Sequence, residues 1–118
     1  VSLGRPGFDV LAGSANILLE AMSLGSPGGT VSLANAFPAL ALRLYELGVS
    51  GDQEEGPKYQ AFVTRVNSAI SGTYGVAGVK AAMQLAGFEA GIPRRPLLPL
   101  DDAGVAELRS TLEAEGVL

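Results

Sequence analysis

The sequence predicts an α/β fold in which two consecutive βα units are followed by three helices. Three observations point to it. A short apolar run that ends in small polar residues leads into an amphipathic stretch at 8–16, and the same design returns at 29–35. Beyond residue 50 the alternation with strands stops, and apolar residues recur only at helical spacing. Parallel strands buried on both faces need a neighbour on each side, and two strands share only one edge. The chain is therefore expected to be the end of something larger.

After a loose start containing Gly4, Pro6 and Gly7, residues 8–12 read as a strand that stops at Gly13-Ser14. A helix over 16–24 follows, with Ile17, Leu18, Ala21 and Met22 on one side, until Gly25-Ser26-Pro27-Gly28 breaks the pattern. The second strand is expected over 29–33. A helix over 37–49 carries Pro38 in its first turn, where a missing N–H costs little, and an apolar stripe at Phe37, Leu40, Ala41 and Leu44. Asp52 and Glu55 have the spacing of a capping box, but Gly56-Pro57 interrupts, so the next helix is expected to restart at Pro57. Its stripe of Tyr59, Phe62, Val63, Val66 and Ile70 is the clearest helical period in the chain.

Ser71-Gly72 is read as a break before a helix over 74–86, with Val76, Val79, Met83 and Ala86 on its apolar side and Gly87 just past its end. Three prolines make 91–99 an extended crossing. Asp101 then caps a last helix, with Leu100 and Val105 placed as a hydrophobic staple and Leu108 and Leu112 continuing to Gly116.

Composition narrows the chemistry. Eight Lys and Arg against twelve Asp and Glu, in 118 residues, give a net charge of −4 with the basic residues scattered, which argues against a nucleic-acid partner. The absence of cysteine and histidine excludes disulfides, thiolate nucleophiles, imidazole bases and the usual zinc ligand sets within the chain. The longest apolar stretch, 36–42, stops at Arg43 and is far short of the roughly 20 residues that span a bilayer. A soluble protein with no membrane association is expected. Because the chain opens on Val1 and shows no leader pattern, the true N-terminus is expected to be missing.

Five segments, in order, carry a resemblance: Val10-Leu11-Ala12-Gly13-Ser14-Ala15, Gly28-Gly29-Thr30-Val31-Ser32-Leu33-Ala34-Asn35, the 37–49 helix with the Gly-Asp after it, Gly75-Val76-Ala77-Gly78-Val79-Lys80, and Pro93-Arg94-Arg95-Pro96-Leu97-Leu98-Pro99-Leu100. Together they resemble the C-terminal part of the dihydrodipicolinate synthase and N-acetylneuraminate lyase family, pyruvate-linked class I aldolases and lyases. The resemblance implies the C-terminal part of a TIM (β/α)8 barrel. Residues 1–50 would be its last two βα units, with strands 7 and 8, and residues 51–118 a C-terminal helical extension.

It further implies a pyruvate or 2-oxo acid substrate, no cofactor, a homo-oligomer (dimer or tetramer) and a cytoplasmic location. Dihydrodipicolinate synthases usually carry Asn-Pro before the penultimate helix, where this chain has Tyr74-Gly75. That loop is more similar to sialic acid lyases, 4-hydroxy-2-oxoglutarate aldolases and 2-keto-3-deoxy sugar acid aldolases, and Ala12-Gly13-Ser14-Ala15 with Leu33-Ala34-Asn35 favours the latter two. The implied activity is cleavage of a 4-hydroxy-2-oxo acid to pyruvate and an aldehyde. The rivals are dihydrodipicolinate synthase activity, which condenses pyruvate with aspartate semialdehyde, and a non-catalytic helical interaction piece.

By this resemblance Gly13, Ser14 and Thr30 are the substrate-binding candidates. Gly13 would let a keto acid approach the backbone, Ser14 would hydrogen-bond substrate, and the Thr30 backbone carbonyl would face the pyruvate moiety. Plainer readings stand beside each: a tight strand-to-helix turn at Gly13, a local helix cap at Ser14, a barrel-core residue at Thr30. Asn35 reads as a turn or cap residue. No catalytic residue is expected in the chain. A Schiff base needs a lysine with a neutral amine, but Lys58 reads as a surface residue and Lys80 matches a structural lysine of the family. Tyr45, Tyr59 and Tyr74 fall outside the family's phenol motif. Glu54, Glu55, Asp101, Asp102, Glu113 and Glu115 are explained by capping and solvation, and no metal site is expected.

Overall fold

The structure is a computed structural model that describes residues 6–118. The beginning of the loose start, Gly4 included, lies outside them. Between the two expected strands, the pairing among the described residues shrinks to a parallel bridge, Ala12 to Gly29. It is closed by the Ala12 N–H donating to the Gly28 carbonyl at 2.9 Å and the Thr30 N–H donating to the Ala12 carbonyl at 2.8 Å. The parallel sense agrees with two βα units; the lengths of 8–12 and 29–33 do not. The second strand ends early because the chain coils at once. Ala34 N–H reaches the Val31 carbonyl, Asn35 N–H and Nδ2 both reach Ser32's, and Leu33, expected in the strand, is buried in a short helix.

Helix α1 (Leu18–Ser23) follows a 3-10 turn over Ala15–Ile17, α2 is Leu33–Ala36 and α3 is Pro38–Ser50. Ile17, expected on the apolar side of the first helix, sits in the 3-10 turn and is exposed, whereas Leu18 and Ala21 are buried. Pro38 occupies the first turn of α3, and Gly51, at φ 68°, ends it.

Helix α4 runs over Glu55–Asn67 and so begins two residues before the expected restart at Pro57. A proline there removes an N–H that the first turn leaves unpaired anyway. Asp52 secures the entry, its Oδ1 accepting from the Glu54 and Glu55 N–H groups at 2.9 and 2.8 Å. The return half of the expected capping box is not made, because the Asp52 N–H donates to the Leu47 carbonyl and Glu55 pairs with Lys58 instead.

Ser71-Gly72 does not end this helix. A π turn over Ser68–Gly72 joins α4 to α5 (Thr73–Leu85), and the change of direction comes at Gly75, whose φ of 58° and ψ of −142° only glycine adopts readily. The kink folds α5 back so closely that a Cβ on Gly78 would run into the Ile70 carbonyl oxygen and lie 2.6 Å from Tyr74 Cβ. It also turns Val76, expected in the apolar stripe, outward, leaving Ala81 and Ala82 as the buried residues. Residues 91–99 contain no helix, as three prolines require, and α6 (Asp102–Ala114) is capped by Asp101, whose Oδ1 accepts from Gly104 N–H at 2.8 Å.

The core lies where α2, α3, α4, α5 and α6 meet, filled by Leu33, Leu44, Val63, Val66, Ile70, Ala82, Leu108 and Leu112. The 59–70 stripe packs as its spacing predicts, Val63, Val66 and Ile70 fully buried and Tyr59 and Phe62 partly. At the far end Arg65 grips Glu115 with two parallel bonds, Nε to Oε1 at 3.0 Å and Nη2 to Oε2 at 3.1 Å, tying α4 to the end of α6. Among the described residues, no helix is long and apolar enough to cross a membrane.

Two outcomes follow. Leu112 is completely buried, so Leu112→Ala should lower unfolding free energy by about 2–5 kcal/mol in a denaturant titration. The two backbone N–H donors hold the Asp52 carboxyl below its usual value. Its stabilisation is therefore full above the unfolded-state value near pH 4 and is lost as pH falls through the lowered folded one. Asp52→Asn keeps the acceptor without the titration, and should flatten the acid limb of a melting-temperature profile.

Candidate functional site

The parallel register of Ala12 against Gly29 sets Gly13 beside Thr30 at the carboxyl end of the bridge. Gly13 is exposed, its φ lies outside the left-handed region, and a Cβ built on it would meet nothing within 4 Å. Neither turn geometry nor packing among the described residues thus requires glycine there. The Thr30 N–H is used by the bridge, while its carbonyl accepts no hydrogen bond among the described residues. Thr30 also lines a cleft of about 420 Å³ with Gly29, Val31, Ala34, Asn35 and Tyr45, which does not extend to Gly13 or Ser14. Ser14 is engaged locally, its Oγ accepting from Asn16 N–H at 3.2 Å as the cap of the 3-10 turn. Asn35 is a turn residue, its Nδ2 donating to the Ser32 carbonyl.

What fixes this end of the bridge is a polar stripe on α4 and the π turn. The Gln60 amide straddles the 15–19 segment, with Nε2 donating to the Ala15 carbonyl at 2.8 Å and Oε1 accepting from Leu19 N–H at 3.2 Å. Asn67, almost fully buried, donates from Nδ2 to Asn16 Oδ1 at 2.9 Å and accepts from Ser71 Oγ at 3.2 Å. Asn16 Nδ2 in turn donates to Ser68 Oγ at 3.3 Å. From the other side buried Ser26 shares its hydroxyl hydrogen between the carbonyls of Val10 at 2.6 Å and Gly28 at 2.8 Å, lacing the two bridge segments together.

The sequence reading missed these residues, although a signal for the α4 group was present. Residues 60, 64, 67, 68 and 71 follow the helical spacing as closely as the apolar stripe beside them.

The lysines and phenols have structural partners. Lys58 pairs on the surface with Glu54 at 3.4 Å and Glu55 at 3.6 Å. The Lys80 ammonium donates to the Ala90 carbonyl at 2.7 Å. Tyr74 donates to Glu107 Oε2 at 2.8 Å, and this bond to the carboxylate raises the phenol above its usual range. Burial raises Tyr59 in the same direction. No group of three or more Asp and Glu among the described residues is arranged to hold a metal ion.

The profile of the Dihydrodipicolinate synthetase family matches residues 1–115. An uncharacterized DapA-like lyase of Halobacterium salinarum is 39% identical over 114 residues, which span 97% of this chain and 38% of the relative. A 4-hydroxy-tetrahydrodipicolinate synthase of an Exiguobacterium species is 33% identical over 107 residues, 91% of this chain and 36% of the relative. Among solved structures, KD(P)GA from T. tenax superposes with a TM-score of 0.83 at 26% identity over 94% of this chain and 39% of its own. A variant of the Sulfolobus solfataricus 2-keto-3-deoxygluconate aldolase reaches 0.85 at 23% identity over 95% of this chain and 39% of its own, a likeness of fold. The chain thus spans about two fifths of the length of these proteins, and with nearly all of its residues inside the family profile it belongs to the Dihydrodipicolinate synthetase family.

Proposed function

We propose that residues 1–50 form the last two βα units of a TIM (β/α)8 barrel and residues 51–118 its helical extension, in a pyruvate-type class I aldolase whose Schiff-base lysine lies outside this chain. The reading rests on one observation above the others. The parallel bridge aligns the unshielded Gly13 backbone with the Thr30 carbonyl at a strand carboxyl end, where barrels of this kind carry their sites.

In that setting the lysine amine condenses with the 2-oxo group of a 4-hydroxy-2-oxo acid and releases water. As the C3–C4 bond breaks, its electron pair passes into the iminium to give an enamine. The 4-hydroxyl loses its proton and becomes the aldehyde oxygen. Protonation and hydrolysis of the enamine return pyruvate and the free lysine. Gly13 gives the 2-oxo acid room against the backbone, and the Thr30 carbonyl serves as an acceptor facing it. Ser14, already the cap of the 3-10 turn, contributes mainly by holding the loop.

The loop at Tyr74-Gly75, with glycine in the kinked position, supports 4-hydroxy-2-oxo acids or 2-keto-3-deoxy sugar acids as substrates. A second reading, condensation of pyruvate with aspartate semialdehyde, is favoured by the relatives named 4-hydroxy-tetrahydrodipicolinate synthase. Pyruvate release from a 4-hydroxy-2-oxo acid, followed through lactate dehydrogenase, decides between them in the protein that carries this chain. Gly13→Val should cut that release by about 10²-fold or more with little change in melting temperature, since a Cβ at residue 13 meets no atom of this chain within 4 Å. Synthase activity without pyruvate release would favour the second reading. Borohydride with pyruvate should add no mass to Lys58 or Lys80, whose amines are held by Glu54, Glu55 and the Ala90 carbonyl; a saturable, pyruvate-dependent adduct on either would refute their structural role.

A further inference from the structure

Of the eight Lys and Arg residues seven are described, and four of them meet a carboxylate: Arg43 with Glu46, Lys58 with Glu54, Arg65 with Glu115 and Arg109 with Glu113. The other three, Lys80, Arg94 and Arg95, form no ion pair among the described residues, and all three line the same cleft of about 730 Å³. No carboxylate lines it. In a chain of net charge −4 this leaves, among the described residues, a concave site where positive charge forms no ion pair.

The cleft is built to present that charge. Lys80 spends one of its three N–H donors on the Ala90 carbonyl, which holds the ammonium in place and leaves two free. The Leu97 N–H donates to the Arg94 carbonyl at 3.1 Å, closing a turn that keeps Arg94 and Arg95 together on the wall of the cleft. The walls between them are apolar: Val76, Ile92 and Leu97 are 54%, 70% and 48% exposed. Two planar forks and one point charge around an apolar wall suit a planar or tetrahedral anion with a hydrophobic body.

We propose that this cleft binds a small organic anion, a carboxylate or phosphate monoester bearing an apolar group. The site shares no lining residue with Gly13 or Thr30, and the inference does not rest on the proposed reaction. A nucleic acid fits poorly, because three cations confined to one cleft on an acidic chain offer no track for a polyanion.

Hydrogen exchange followed by mass spectrometry, on the protein that carries this chain, tests the site with phenyl phosphate and benzoate as probes at fixed ionic strength. Exchange in peptides covering 76–84 and 90–98 should slow saturably, and the preferred probe distinguishes phosphate from carboxylate recognition. Inorganic phosphate should bind more weakly than phenyl phosphate, since it cannot use the apolar walls. The Arg94→Gln/Arg95→Gln variant should weaken binding at least tenfold, and Arg95→Gln alone should show a smaller loss, both with unchanged melting. Arg43→Gln, which removes a paired arginine on α3, should leave binding as it was. Absence of protection in these two peptides, or equal binding by the double variant and the wild type, would overturn the proposal.

Discussion

The carboxyl end of the strand pair depends on how closely two backbones approach. A Cβ at residue 29 would sit 2.8 Å from the Ala12 carbonyl oxygen and 3.1 Å from Leu18 Cδ1, so glycine is what lets the two segments meet in parallel at all. From that contact follow the register that sets Gly13 beside Thr30, the burial of Ala12 and the seating of α1 over the bridge. A methyl group at 29 would push the segments apart and break both bridge hydrogen bonds together.

A bridge of two hydrogen bonds is a weak scaffold, and the helices stabilise it from outside. Gln60, Asn67 and Ser68 grip the 15–19 segment from α4 and the π turn, with Ser71 bracing Asn67, while Ser26 laces Val10 to Gly28. Among the described residues no buried side-chain polar atom is left without a partner, the condition under which a polar network adds rigidity rather than cost. The apolar half of α4 fills the core while its polar half fixes the loop, so one helix couples the stability of the fold to the shape of the candidate site.

The helical half was the more legible part. The 59–70 stripe, the Asp101 cap and the proline-rich crossing all follow from local chemistry, and they appear with small shifts at their ends. Of the two expected strands only their parallel pairing was legible, since among the described residues an isolated bridge stands in their place. Their lengths depend on neighbours on both sides, and among the described residues each finds one. Ser71-Gly72 misled because glycine usually marks a break, whereas here a π turn carries the helix through and the kink falls at Gly75. Gly13 and Thr30 were singled out through family resemblance, and the register sets them side by side. Ser14 turned out to be occupied as a cap, the plainer of its two readings. The Gln60 and Asn67 stripe was missed because polar residues on a helix are ordinarily solvated, and only the packed loop shows what they hold.

The central claim is that the Gly13–Thr30 end forms one wall of a pyruvate pocket. A crystal structure of the protein that carries this chain, with pyruvate trapped by borohydride on its Schiff-base lysine, tests it most directly. The trapped pyruvate carbons should lie in van der Waals contact with the Gly13 backbone and opposite the Thr30 carbonyl. An adduct seated at any other strand end, with the Gly13 backbone still facing solvent, would contradict it.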